Sequence, residues 1–233
     1  MQLQNKVALI TGGGRGIGKA IALAYAREGA ALALCARTSA ELEQTCQEIR
    51  SLKAECVTWT CDVSLEEPVR ELVANVTRKF SRIDVLVNNA GVMTRPVPLT
   101  ELAVKKWDYT IAVNLRGPFL VTRTVLPIMI KQKSGSVINI SSMIGRSGYA
   151  NFAAYAASKW GLEGFTQTLA MEVGSSTIRV NSVDPGYVAT KLTGYAGSKP
   201  ESTTDVFVYL ASDEARGVTG KMLSSANWKL QLK

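Results

Sequence analysis

The 233-residue chain contains no histidine, so the side chain that most often acts as a general base near neutral pH is missing. Its four cysteines form no C-x-x-C pair and have no histidine to complete a zinc set. We therefore interpret Cys35, Cys46, Cys56 and Cys61 as small buried hydrophobes and expect no metal site. Acid/base work then requires a carboxylate, cysteine, lysine or tyrosine whose pKa the fold has shifted.

Long apolar runs are also missing. None approaches the ~18 residues of a membrane span, and the opening MQLQNKVALITGGG has too short an apolar run for a secretory signal. We therefore expect a cytoplasmic protein with no membrane partner. The 27 basic and 19 acidic residues give a net charge of +8, but the basic residues are scattered along the chain. This pattern favours a solvated surface and predicts no nucleic-acid partner.

What the chain does contain is an alternation of short Val/Ile/Leu-rich runs with longer segments of helical period. Such runs are typical of strands buried on both faces, and the segments between them of crossover helices. The runs are KVALIT, AALALCA, CVTWTCDV, DVLVNNAG, SVINISS, IRVNSVDPG and VTGKMLSS. The pattern predicts an α/β Rossmann fold, a doubly wound parallel sheet of about seven strands with helices on both faces, in one domain over residues 1–233. Residues 186–200 are interpreted as an irregular loop beside a site.

The stretch TGGGRGIG, residues 11–18, lies between the first apolar run and a helical segment. Gly12, Gly16 and Gly18 allow the backbone to turn tightly and to approach a ligand. The helix that follows offers unpaired N–H groups and a positive dipole end to a pyrophosphate. Although the spacing differs from G-x-G-x-x-G, we interpret the stretch as a dinucleotide cradle.

The end of the second strand bears on which dinucleotide is bound. Folds that prefer NAD carry a carboxylate there for the ribose hydroxyls, whereas an arginine accommodates a 2′-phosphate. In ALALCARTS the strand ends at Ala36 and Arg37, with no carboxylate. Arg37 and Arg15 together are suited to hold a phosphate from two sides, which predicts NADP(H) as cofactor.

A pair of side chains suited to proton transfer occurs in YAASK, where Tyr155 and Lys159 are four residues apart in an apparent helix. At this spacing both side chains lie on one helix face. A nearby ammonium favours the phenolate, so we expect Lys159 to lower the pKa of Tyr155 and to provide an acid/base group near neutral pH.

These stretches occur in the order of a known family. The glycine pattern at 12–18, DV at 62–63, NNAG at 88–91, Asn114 in IAVNL, Ser142 in NISS, YAASK at 155–159 and PG at 185–186 resemble the classical short-chain dehydrogenases/reductases. The resemblance runs from about residue 5 to about residue 224, nearly the whole chain.

The resemblance implies a role for each matching residue. By this resemblance, Tyr155 is the acid that protonates a carbonyl oxygen, and Ser142 donates a hydrogen bond that polarises the same oxygen. Lys159 lowers the pKa of the tyrosine and holds the hydroxyls of the nicotinamide ribose, and Asn114 positions a water in a proton relay. The cofactor contacts that the residues and the resemblance together predict are Gly12, Arg15, Gly16, Ile17, Gly18, Arg37, Asp62, Val63, Asn89, Ala90, Gly91, Tyr155, Lys159, Pro185, Gly186, Val188 and Thr190.

The chain departs from the family at its C-terminal end. The stretch between PG and YLASDE is shorter than usual, so we expect a shortened substrate loop over 186–200 and an open site. The usual DGG ending is replaced by KMLSSANWKLQLK, which weakens the case for tail contacts between subunits. Family dimers pair through the helices that carry Asn114 and Tyr155; we expect a homodimer or homotetramer, with Trp160 either in that contact or in ordinary packing.

The sequence leaves the substrate open among several classes. Apolar Met93, Tyr149, Phe152, Tyr187 and Tyr195 are expected near the pocket and suit a ketone with a hydrophobic group. The favoured function is NADPH-dependent reduction of a small ketone or aldehyde. The alternatives are a 3-oxoacyl-(acyl-carrier-protein) reductase and a sensor or scaffold that binds NADP without turnover.

Overall fold

The computed structural model describes residues 1–174 and 177–232. Seven strands form one parallel sheet in the order β3-β2-β1-β4-β5-β6-β7. The strands are β1 Val7–Thr11, β2 Ala31–Ala36, β3 Cys56–Thr60, β4 Val85–Asn88, β5 Gly135–Ile140, β6 Ile178–Asp184 and β7 Met222–Ser224. The helices are α1 Gly16–Arg27, α2 Ser39–Ser51, α3 Glu66–Phe80, α4 Val104–Ile111, α5 Gly117–Gln132, α6 Ala153–Glu172, α7 Asp205–Ala211 and α8 Trp228–Gln231. The predicted doubly wound Rossmann fold is confirmed.

Two hydrophobic cores lie on the two faces of the sheet. On one face α1, α2 and α7 bury side chains such as Tyr25, Leu42 and Phe207. On the other face α3, α5 and α6 bury a second set, which includes Val121 and Leu169. Every residue of β1, β4 and β5 is buried, because helices cover both faces of these central strands. The four cysteines are buried thiols, as the sequence predicted.

The strand order reverses between β1 and β4, and this reversal places the site. The chain runs from β1 outward to β3 and then returns to β4 on the other side of β1. Connections that leave β1 and β4 in opposite directions open a crevice at their carboxyl ends. Thr11 fixes the crevice wall, because its Oγ1 accepts hydrogen bonds from Asn89 N and Ala90 N, each at 3.0 Å.

One π turn, Ala112–Arg116, joins α4 to α5 so that the helical backbone continues from Val104 to Gln132. The extra residue of a π turn shifts the hydrogen-bond ladder, and such turns are frequent at functional sites. Asn114 lies within the turn and is buried.

The C-terminal third forms the remaining wall of the crevice. In 186–200 the structure has a 3₁₀ turn, Lys191–Thr193, and a bridge between Val188 and Ser198. The altered tail folds back on α7, where the Trp228 ring lies 4.6 Å from the Tyr209 ring, centroid to centroid. Among the helices of the described residues, none combines the length and apolar character that crossing a bilayer demands.

Candidate active site

A cleft of about 800 Å³ opens at the carboxyl edge of the sheet, at the reversal of strand order. Of the predicted cofactor contacts, all except Gly18 line it, as do Ser142 and the aromatic and apolar residues discussed below. The sequence therefore located most of the lining from motifs that are far apart along the chain.

The glycine turn forms one end of the cleft. Gly12 has φ +66°, a left-handed conformation that favours glycine, and Asn89 Nδ2 donates to its carbonyl oxygen at 3.1 Å. Gly18 is buried behind the turn, where a Cβ would lie 2.4 Å from both Gly12 O and Asn89 Nδ2. Gly18 thus allows α1 to pack against the turn, and it does not line the cleft. Arg15, at the N-cap of α1, makes no side-chain cap, so within the part of the chain that the structure describes its side chain leaves the first N–H groups of the helix uncapped.

The two predicted phosphate-binding arginines both line the cleft, and each has a protein partner. Arg15 Nη1 lies 2.6 Å from Glu41 Oε1. The Arg37 guanidinium donates to the Tyr109 hydroxyl and lies 5.8 Å from the centroid of that ring. Sequence reasoning missed Glu41, which also lines the cleft, because it occurs inside α2 and not at the strand end where a carboxylate is expected.

Asp62, which follows β3, organises the next wall of the cleft. Its Oδ1 accepts hydrogen bonds from Ser64 N at 3.0 Å and Ser64 Oγ at 2.7 Å. Val63 is buried against Gly117, where a Cβ would approach Val63 Cγ2 to 2.9 Å. This packing holds the turn after β3 against the start of α5.

Ser142, Tyr155 and Lys159 meet at the inner end of the cleft. Ser142 follows β5, and α6 places Tyr155 and Lys159 one turn apart. Lys159 Nζ lies 5.7 Å from the centroid of the Tyr155 ring and donates to Ile140 O at 2.7 Å. Both side chains are buried, so this proton-transfer pair is shielded from bulk water.

Burial decides the titration of both groups. It raises the pKa of Tyr155 to about 12, with the hydrogen bond to Ser142 lowering the pKa and the Asp184 carboxylate raising it. Burial also lowers the pKa of Lys159 to about 8. The carboxylates of Glu163 and Asp184 raise that pKa and so offset part of the effect of burial. The sequence predicted a lowered pKa for Tyr155, but the net shift is upward, because burial outweighs the influences that favour the phenolate. The enclosed phenol stays protonated at neutral pH, which suits a proton donor.

Asn114 lies behind the cleft and holds the segment that follows β4. Its Oδ1 accepts from Val92 N at 2.8 Å, and its Nδ2 donates to Val92 O at 2.8 Å and to Ser158 Oγ at 3.2 Å. Ser158 Oγ in turn donates to the Tyr155 carbonyl oxygen at 2.7 Å. The side chain thus links the cleft wall to the helix that carries the tyrosine.

The predicted substrate-side residues divide into two groups. Met93, Phe152 and Tyr187 line the cleft. Tyr149 is outside the lining, and its hydroxyl donates to Met143 Sδ at 3.6 Å. Tyr195 is also outside it and is exposed on the loop.

The residues present fit a nicotinamide dinucleotide. The glycine turn leaves the backbone open at the N-terminus of α1, where a pyrophosphate is favoured. At the inner end, Ser141 Oγ is buried with no hydrogen-bond partner among the described residues, and Ser141 lines the cleft. A polar ring substituent is the kind of group that would satisfy it.

Comparison with known proteins agrees with this geometry. The family model described as short chain dehydrogenase matches residues 6–201. The chain is 40% identical over 240 residues to the 3-oxoacyl-(acyl-carrier-protein) reductase FabG of Thermotoga maritima, a match that covers 96% of this chain and 97% of that protein. The levodione reductase crystal structure matches with a TM-score of 0.92 and 32% identity over 97% of this chain and 100% of that one. NAD⁺-bound xylitol dehydrogenase matches with a TM-score of 0.91 and 30% identity over 96% and 98%.

Proposed function

This chain belongs to the short-chain dehydrogenase family, and from that premise we propose that it is an NADPH-dependent reductase of ketones or aldehydes. It is an oxidoreductase that acts on CH–OH or C=O groups with a nicotinamide cofactor. The observation that carries the finer proposal is a single cleft with Tyr155, Ser142 and Lys159 at one end and Arg15 and Arg37 at the other.

Each of the four predicted catalytic residues has a distinct role in the proposed mechanism. Tyr155, whose pKa burial raises to about 12, donates its proton to the carbonyl oxygen. Ser142 donates a hydrogen bond to the same oxygen, and the Lys159 ammonium stabilises the phenolate that forms and holds the ribose hydroxyls. Asn114 keeps the Val92 segment in place beside the reacting groups and is proposed to position a water in a proton relay. When bound, the cofactor supplies the hydride.

Preference for NADPH is proposed from the charges at the outer end of the cleft. Arg15 and Arg37 lie there, with the Glu41 carboxylate paired to Arg15, and Arg95, Lys191 and Asp62 also line the cleft. Arg37 follows the second strand, where an arginine suits a 2′-phosphate. Arg15 has an exposed side chain and its ion pair with Glu41 is accessible to solvent, so a phosphate is able to compete for it.

Reduction of a 3-oxoacyl-(acyl-carrier-protein) is the second candidate function. It is favoured by the 40% identity to the Thermotoga maritima reductase of that name over nearly the whole of both chains. For the 186–200 segment we propose a shortened loop and an open site that accepts a broader range of carbonyl compounds; this segment holds the 3₁₀ turn Lys191–Thr193, the bridge between Val188 and Ser198 and the start of the 3₁₀ turn Pro200–Thr203.

We also propose one dinucleotide-binding and catalytic domain over residues 1–233, assembled as a homodimer or homotetramer through α5 and α6. Phe119 on α5 and Trp160 on α6 are large and exposed, which supports this pairing. Light scattering of the purified protein checks the assembly.

The test of function follows nicotinamide absorbance while the protein meets ketones, aldehydes, quinones and 3-oxoacyl thioesters with NADPH or NADH. Tyr155→Phe is the matched variant, since it keeps the ring and removes the proton donor. We expect its turnover to fall by about two orders of magnitude, the ~3 kcal/mol typical of one donor to a developing oxyanion.

The controls separate catalysis by Tyr155 from cofactor binding without turnover. Cofactor fluorescence should show that Tyr155→Phe binds NADPH as the wild type does. More than a few per cent of wild-type turnover in this variant would contradict the tyrosine's role. Tight NADPH binding with no turnover of any substrate class would favour the sensor or scaffold instead.

A further inference from the structure

A buried carboxylate lies one helical turn beyond Lys159. Glu163 is on α6, four residues after the lysine, and is 3% exposed. Its Oε2 accepts a hydrogen bond from Ser182 Oγ on β6, and its Oε1 lies 3.4 Å from Arg146 Nη2. Neither the sequence motifs nor the proposed mechanism assigns Glu163 a role.

A second buried carboxylate, at the end of a sheet strand, also acts on the lysine electrostatically. Asp184 ends β6, and its Oδ1 accepts a hydrogen bond from Gly186 N at 2.9 Å, in the turn that lines the cleft. Among the described residues, the ionisable groups that act on Lys159 are Tyr155 and Glu163 on its own helix and Asp184 from β6, and Arg146, from the turn after β5, pairs with Glu163.

The Glu163 cluster is poorly explained as a device for stability. Burying a carboxylate costs free energy unless it is fully paired, and apolar side chains often serve a core as well. Arg146, the ionic partner, has a buried Nε with no hydrogen-bond partner in the described part of the chain. The feature that an apolar side chain would not reproduce is the negative charge itself.

We propose that Glu163 is a positioning residue for the reductase reaction, because its buried carboxylate, together with that of Asp184, keeps the Lys159 ammonium charged beside Tyr155. This inference rests on the proposed function. Lys159 donates one hydrogen bond within the described residues, to Ile140 O, and such an enclosed ammonium tends to lose its proton. Opposite charges on α6 and β6 favour the charged form, which in turn favours proton release from Tyr155 to substrate.

The first experiment compares pH profiles of kcat for carbonyl reduction in the wild type and in Glu163→Gln. Glutamine keeps the shape of the side chain and an oxygen that accepts from Ser182, but it removes the charge. We expect the alkaline limb, where activity is lost as Lys159 deprotonates, to move to lower pH by roughly one pH unit. Asp184→Asn should move the alkaline limb in the same direction. This variant replaces Glu163→Gln in the test if Glu163→Gln folds poorly.

Ser182→Ala is the matched control, since it removes the hydrogen bond to Glu163 and leaves the charge. A structural role for Glu163 predicts the same change in both variants, whereas the proposal predicts that the limb moves only when the carboxylate is lost. An alkaline limb at the wild-type position in Glu163→Gln and Asp184→Asn would overturn the proposal.

A second measurement does not depend on turnover. In protein labelled with ¹³C at lysine Cε, the Lys159 resonance is assigned by its loss in Lys159→Arg and followed against pH. A lower titration midpoint in Glu163→Gln supports the proposal even if no carbonyl substrate is reduced, which would count against the proposed function alone. An unchanged midpoint overturns the role of Glu163 even if the wild type is an active reductase.

Discussion

At the scale of single residues, the lysine and the tyrosine share one environment that acts on them in opposite directions. Burial favours the neutral form of each group, so it raises the pKa of the Tyr155 phenol to about 12 and lowers that of the Lys159 ammonium to about 8. Near neutral pH the site then holds a protonated phenol beside a lysine that is close to its titration midpoint. The lysine is therefore the group whose titration limits reduction on the alkaline side.

This assignment predicts the pH dependence of reduction. A group that must be protonated supports activity below its pKa and loses it as pH rises through that value, so kcat should fall through about pH 8. In Lys159→Arg the guanidinium stays charged, so any residual activity should show no such limb. Steady-state rates from pH 6 to about 10 check this, and a limb near 8 in both proteins would assign it to another group.

Glu41 gives a prediction about cofactor preference. Its carboxylate lies 2.6 Å from Arg15 and lines the cleft, where it would oppose a 2′-phosphate. Glu41→Gln should therefore tighten NADPH binding by roughly fivefold, about 1 kcal/mol for a solvent-accessible charge, and leave NADH binding nearly unchanged. Fluorescence titration gives both Kd values.

Glu43 provides the matched control for this change. It is on the same helix, pairs with Arg50 at 3.2 Å and does not line the cleft. Equal effects of Glu43→Gln and Glu41→Gln would indicate general electrostatics, and weaker NADPH binding in Glu41→Gln would contradict the prediction.

At the scale of elements, the site depends on how closely backbone segments approach one another. The turn before α1 packs against the segment after β4 through Asn89, whose Nδ2 donates to Thr11 O at 2.7 Å and to Gly12 O at 3.1 Å. Gly18 makes this approach possible from the first turn of α1. The spacing of the glycines predicted a cradle, but only the structure separates the glycines that line the cleft, Gly12 and Gly16, from Gly18, which allows the packing.

Gly18→Ala tests this element. The added Cβ would lie 2.4 Å from Gly12 O, so the turn or the helix has to move. We expect NADPH binding to weaken at least tenfold, together with a loss of about 1–3 kcal/mol of unfolding free energy. Gly164→Ala is the control, since Gly164 is also helical and its Cβ would meet no atom within 4 Å; it should stabilise α6 slightly. Wild-type cofactor affinity in Gly18→Ala would refute the close approach.

At the scale of the whole molecule, the seven strands and their parallel arrangement could be predicted, because strands covered on both faces have continuous apolar sequences. The motifs also identified most of the residues that line the cleft, because the carboxyl ends of parallel strands lie at one edge of the sheet. Side-chain pairings between elements could not be predicted. The pairs Arg15 with Glu41 and Glu163 with Ser182 form only when the elements pack, and no spacing pattern in the sequence marks them. The pKa directions were equally inaccessible, because they depend on how fully the folded chain encloses each group.

One such pairing joins distant parts of the fold and predicts a stability effect. Tyr25 on α1 is fully buried, and its hydroxyl donates to the Phe207 carbonyl oxygen of α7 at 2.9 Å. Tyr25→Phe keeps the ring and leaves that carbonyl without its side-chain donor, so we expect a loss of about 1–2 kcal/mol of unfolding free energy. For a chain of this length the melting temperature should fall by roughly 2–8 °C. Tyr195→Phe is the control, because it also removes a tyrosine hydroxyl, but from an exposed side chain, and it should leave the urea and thermal midpoints unchanged.

Neither tyrosine lines the cleft, so cofactor affinity should stay at the wild-type value in both variants. A Tyr25→Phe protein as stable as the wild type would mean that this hydrogen bond between α1 and α7 contributes nothing to the stability of the fold.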